Sequence, residues 1–186
     1  MKIPEKVARA PEAIVSYWGM ITDLVQIRRL GEKKHAENSR FGKYLKTREW
    51  AEPQLRRAAR EIQEKIDCRQ CAECCRVTEV EPTRRDIQRL SRFLGISAAE
   101  FIRKYTMIAE DKSRILKRSE KKGCIFLSGN DCTVYEARPA DCSGFPHLIK
   151  GRGSLADKME AFVERAEFCP IVYNWMEEAK RVTKFR

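Results

Sequence analysis

Four cysteines within eight residues, Cys68, Cys71, Cys74 and Cys75, constrain this chain more than any other feature. Thiolates are soft donors that suit zinc, Cu(I) and iron–sulfur clusters. Two-residue gaps turn successive sulfurs toward one centre, as in the first three ligands of bacterial ferredoxin runs. The remaining cysteines, Cys124, Cys132, Cys142 and Cys169, all lie downstream. The rest of the chain reads as a scaffold that brings these distant thiols to the knot. Eight is an even number, so a disulfide framework is the competing reading. The neighbouring pair Cys74–Cys75 and the short gaps favour a metal.

Compartment points the same way. Ala13 to Ile21 is apolar, but Glu5 and Glu12 precede it and Asp23 follows it, so it does not read as a targeting signal. No uncharged stretch approaches the roughly 18–20 residues needed to cross a bilayer. The expected location is the cytoplasm, where disulfides are disfavoured. A formal charge of +11 raises acidic partners and nucleic acid. A centre held by four thiolates would offset about two of those charges. The excess is also spread out, with 15 basic and 10 acidic groups in 1–67, 15 and 11 in 68–149, and 8 and 6 in 150–186. Charge alone is therefore weak evidence for nucleic acid, and a protein partner stays open.

Apolar spacing predicts mainly helix. Residues 12–30 carry Ile14, Tyr17, Trp18, Ile21, Leu24 and Val25 on one face, with Gly31 as the stop. The polar stretch 32–42, including His35, reads as a hinge. A second helix over 47–67 presents Leu55, Ala58, Ala59, Ile62 and Ile66 on one face and turns Arg56, Arg57 and Arg60 to water. Thr83 with Asp86, then Ser97 with Glu100, mark two further helix starts, and Gly95 closes the first of these helices. Ile115–Leu116 and Cys124–Leu127 around a polar turn predict one small hairpin. Residues 138–153 read as irregular, and Ser154 and Pro170 open the last two helices. The expected fold is mainly α with a small β-hairpin. Residues 1–46 form an N-terminal helical extension and 47–186 an irregular, cysteine-rich metal-binding domain.

Two spacings decide between metals. A zinc ribbon needs two CxxC knuckles, and the second half of this chain has none. Cys68, Cys71 and Cys74 match the ferredoxin C-x2-C-x2-C run, whose last ligand is followed by proline. Here that proline is supplied far away, at Cys169–Pro170. The expected cofactor is an iron–sulfur cluster, 4Fe–4S in preference, with zinc or non-cluster iron as alternatives. Whether the thiols build one centre or two stays open, because Cys75 points differently from Cys74. His147 reads as packed or solvated, Glu73 and Glu79 as supporting carboxylates, and Cys75 beside Arg76 as a ligand that could also act as a redox thiol.

These residues carry a resemblance. Cys68-x2-Cys71-x2-Cys74-Cys75, Gly123-Cys124-Ile125-Phe126-Leu127, Cys132-x2-Tyr135-x2-Arg138-Pro139-x2-Cys142 and Phe145-Pro146 resemble the YkgJ-type cysteine-cluster family over roughly 66–172. That family is described as a zinc- or iron-chelating CxxCxxCC domain, and the resemblance implies that these cysteines are its ligands. Ser143 departs from the pattern, standing where a basic residue is common. Flagellin lysine N-methylases contain a similar domain, which raises methyl transfer.

Within the sequence itself an enzyme is not evident. GxSxG, HExxH and P-loop motifs are absent, and Gly151 to Ala156 imitates a glycine-rich loop without a βαβ unit. The leading expectation is a metal-binding protein serving electron transfer, redox sensing or metal handling. The alternatives are a zinc-stabilised module that meets nucleic acid or protein, and a methyl-transfer or redox enzyme acting with a partner.

Overall fold

The computed structural model describes residues 19–48, 51–150 and 153–186. Asp23 accepts the Gln26 N–H and starts α1, which runs unbroken from Leu24 to Leu45. The expected stop at Gly31 and hinge over 32–42 are therefore both corrected. The part of the expected first helix that holds Tyr17 and Trp18 lies outside the described residues. Gly31 serves packing rather than termination. A Cβ there would stand 2.6 Å from Glu167 Cα and 2.7 Å from the Ala166 carbonyl oxygen, so only glycine lets α1 approach the chain just after α8 (Met159–Arg165). Along the polar stretch, Asn38, Phe41 and Leu45 turn inward, while Lys34 and Glu37 pair with Glu177 and Lys180 of α9 (Pro170–Val182).

Helix α2 (Glu52–Lys65) buries Leu55, Ala58, Ala59 and Ile62, the face its spacing predicts. Together α1, α2, α8 and α9 enclose the larger core, with Phe162 and Trp175 edge to face at 5.3 Å. The Trp175 Nε1–H donates to the Leu55 carbonyl at 3.0 Å and ties α9 to α2. Arg56 does not face water as expected. It pairs with Glu52 and donates to the carbonyls of Leu148, Ile149 and Gly153, anchoring the loop that leads to α8.

A second, smaller core lies beyond the cysteine knot, which itself forms α3 (Cys68–Cys71) and α4 (Glu73–Val77). Leu90 of α5 (Arg84–Leu94) and Phe101 of α6 (Ala98–Tyr105) pack there against Leu116, Phe126, Val134 and Ala137. Three short antiparallel pairs replace the single hairpin expected. They are β1 (Thr106–Ile108) with β2 (Arg114–Leu116), β3 (Arg118–Ser119) with β4 (Gly123–Cys124), and β5 (Leu127–Ser128) with β6 (Asp131–Cys132). Ile115 and Leu116 pair with Met107 and Thr106, not with the segment after the turn. The fold is mainly α with small β-hairpins. No helix among the described residues is long and apolar enough to cross a membrane.

One buried carboxylate joins the second core to the knot. Asp86, 2% exposed, accepts the Thr83 N–H and hydroxyl at 3.0 and 2.6 Å, an Arg89 N–H at 2.6 Å and the Ala140 N–H at 3.0 Å. Ala140 begins α7 (Ala140–Gly144), the short helix that carries Cys142. Burial alone would raise the Asp86 pKa, but bonds from Thr83, Ala140 and Arg89 outweigh it and hold the pKa below the ordinary aspartate value. A carboxylate depressed in the folded state contributes stability above its unfolded pKa and loses it as pH falls through the folded value. Wild-type stability should thus decline on acidification below about pH 4. Asp86→Ala should cost about 3 kcal/mol at neutral pH, at the low end for a broken buried pair because Arg89 keeps water contact. The pH dependence of the denaturant midpoint in both proteins checks this, and the variant should show the shallower acid decline.

Candidate metal centre

The knot folds as two short helices with a sharp turn between them. The Asp67 carboxylate accepts the Arg69 N–H and caps α3, and Ala72 at φ 51° breaks the path before α4. Cys74 and Cys75 thus lie on a different helix from Cys68 and Cys71. The other cysteines arrive on separate elements. Cys124 sits on β4, Cys132 on β6, Cys142 within α7, and Cys169 is the residue before α9. All eight thiols are free, and none is paired in a disulfide.

Two adjoining cavities receive them. A small one of about 20 Å³ is lined by Cys68, Cys71, Cys74 and Cys169, and is walled by Phe145, Phe168 and Ile171. A larger one of about 650 Å³ is lined by Cys75, Cys124, Cys132 and Cys142, and by Cys68 and Cys74, which line both cavities. Among the described residues, no group of three or more His, Cys, Asp or Glu side chains is placed to hold a metal ion outright. The thiols share cavities without closing on one point.

The electrostatics follow this arrangement. Burial pushes Cys142 up to about 12, reinforced by Cys75, Cys124 and Cys132. Burial likewise pushes Cys169 up to about 12, with Cys68 and Cys71 adding to it. Burial also raises Cys68, Cys71, Cys124 and Cys132. Cys74 and Cys75 act on each other: hydrogen bonding between the two thiols raises Cys74 and lowers Cys75, where Arg76 and Arg138 add to the lowering against burial. The sequence expectation that Arg76 activates Cys75 captures the direction, but the larger cause is the neighbouring thiol. As a donor set, eight unpaired thiols facing shared cavities fit a thiophilic metal or cluster, which binds the deprotonated form.

Several residues hold the knot in place without offering a ligand. Arg76 donates to the Cys71 carbonyl at 2.8 Å, to the Gly129 carbonyl at 3.1 Å and to the Asn130 side chain. Asn130 in turn donates to the Gln70 carbonyl at 2.8 Å, so the β5–β6 turn is clamped onto α3. Arg118 donates to the Arg76 carbonyl at 2.8 Å. Arg138 lies over the Tyr135 ring at 4.0 Å on the wall of the larger cavity. Sequence reading assigned neither Asn130 nor Arg138 a role at the site. Their signal was proximity to Cys132 and Cys142. Glu73 is committed to Arg28 at 3.1 Å and Arg76 at 3.8 Å, and Glu79 to Arg118 at 3.4 Å. His147 lines the larger cavity, and burial together with Arg165 lowers its pKa.

A family model for the CxxCxxCC domain, described as zinc- or iron-chelating, matches residues 67–170. That span begins one residue before Cys68 and ends one residue after Cys169. No solved structure matches the chain.

Proposed function

Because the chain belongs to the CxxCxxCC family of zinc- or iron-chelating domains, we propose that Cys68, Cys71, Cys74, Cys75, Cys124, Cys132, Cys142 and Cys169 are its ligands, and that they hold an iron–sulfur cluster, 4Fe–4S in preference. The observation that carries this is the convergence of eight unpaired thiols, drawn from six elements or their edges, on two adjoining cavities. The ferredoxin-like spacing of Cys68, Cys71 and Cys74, with proline after Cys169, favours the cluster over a lone zinc ion.

A bound cluster supplies one-electron chemistry whose potential depends on net charge, hydrogen bonds to sulfur and solvent access. The chain's own residues prepare for it. Arg76 and Arg138 place positive charge near the thiols and favour their deprotonated form, most of all at Cys75. Phe145, Phe168 and Ile171 give the smaller cavity an apolar wall. Asn130 and Arg76 hold the knot against the β5–β6 turn so that deprotonated thiols need not drag the backbone together. The role we assign is electron transfer, redox sensing or metal handling.

Metal and sulfide analysis of the full chain, purified without oxygen, tests this. Iron in multiples of about four per chain, with matching acid-labile sulfide and visible colour, is the expected result. Zinc without colour would sink the cluster and leave a zinc-held scaffold.

A further inference from the structure

The thiols do not surround one space. We infer that they form two separate four-thiolate centres that meet at the Cys74–Cys75 peptide: Cys68, Cys71, Cys74 and Cys169 in one, Cys75, Cys124, Cys132 and Cys142 in the other. This rests on the ligand assignment above and goes beyond it by dividing the ligands.

Helical geometry starts the division. Successive residues of a helix project about 100° apart, so Cys74 and Cys75 leave α4 in different directions. Cys74 lines the small cavity with Cys68, Cys71 and Cys169, and Cys75 does not. Cys75 lines the larger cavity with Cys124, Cys132 and Cys142, and none of those three reaches the smaller one. Cys68 and Cys74 also line the larger cavity, as ligands in a wall shared by two centres would. Each set numbers four, the count that completes a tetrathiolate zinc site or the protein ligation of a cubane.

The two centres also sit differently in the fold. The first draws on the knot and on the start of α9, so it is sewn to the larger core. The second draws on Cys75, on α7, and on two hairpins whose Cys124 and Cys132 pack against the smaller core. The Cys74–Cys75 peptide is thus the covalent joint between a metal on one core and a metal on the other.

Metal retention in single and paired cysteine variants of the full chain tests the division, whichever metal is bound. Cys132→Ser and Cys142→Ser should each remove the same share of metal, and combining them should remove no more. Cys68→Ser, chosen because Cys68 is exposed and Cys169 is buried, should remove the complementary share. The Cys68→Ser/Cys142→Ser pair should remove all of it. Circular dichroism selects folded variants, and Cys71→Ser replaces Cys68→Ser if that protein loses its helical signal. A folded single variant that releases all the metal, or Cys68→Ser and Cys142→Ser removing the same share, would overturn the division and leave the ligand assignment intact. Metal content unchanged in every variant would instead overturn the ligand assignment, and the division with it.

Discussion

Gly123→Ala should destabilise the chain by about 2–5 kcal/mol and loosen the junction between α4 and β4. Gly123 has φ of 70°, where a side chain costs roughly 1–2 kcal/mol. Its Cβ would also stand 2.6 Å from the Cys75 carbonyl oxygen and 2.7 Å from Arg76 Cα. Both are backbone atoms, so the strain cannot be relieved by rotating a side chain, and overpacking of this kind adds about 1–3 kcal/mol. Gly129 is the control. It has φ of 62° but nothing within 4 Å of its would-be Cβ, so Gly129→Ala should show only the conformational part. Denaturant midpoints of the two variants measure the difference. Equal losses would mean that the close approach of β4 to α4 is not what selects glycine at 123. On the proposed ligand division, Gly123→Ala should also deplete the metal held through Cys75 and Cys124, because the bulk forces those two elements apart.

Trp175→Ala should cost about 3–5 kcal/mol, the range for truncating a fully buried aromatic side chain. Trp175 is 0% exposed, packs on Phe162 and donates to the Leu55 carbonyl, so one truncation opens a cavity and removes the bond between α9 and α2. For a chain of this size the melting temperature should fall by about 6–20 °C. Trp175→Phe keeps most of the apolar contact and loses the N–H, and should recover more than half of the deficit. Thermal unfolding of the three proteins decides it. If Trp175→Phe is as damaging as Trp175→Ala, the hydrogen bond rather than the buried ring dominates at this position.

How much could be read from the chain varied with the range of the interaction. Helix α5 was legible end to end, because Thr83, Asp86 and Gly95 act within one turn of the residues they cap. The buried face of α2 was equally plain from its spacing. Helix α1 was not, because Gly31 looks like a stop until the chain after α8 arrives beside it. Arg56 looked like a solvated cation for the same reason, and Arg89 carried no local sign of its role. The carbonyls they bond, at Leu148, Ile149, Gly153, Ala137 and Arg138, lie far along the chain.

The sequence by itself determined the chemistry of the donors. It held soft thiols at ferredoxin-like spacing, a remote cysteine followed by proline, and a mainly helical scaffold with turns that present the rest. Those properties are local, set by residue type and by neighbours within a few positions. Only the tertiary structure decided which cysteines share a space. Cys169 comes to Cys68, Cys71 and Cys74 because α9 packs on α2, the helix that leads into the knot. Cys142 comes to Cys75 because Asp86 ties α7 to α5 and Arg76 clamps the knot to the β5–β6 turn. Such meetings depend on contacts between residues dozens of positions apart, and cysteine spacing carries no record of them.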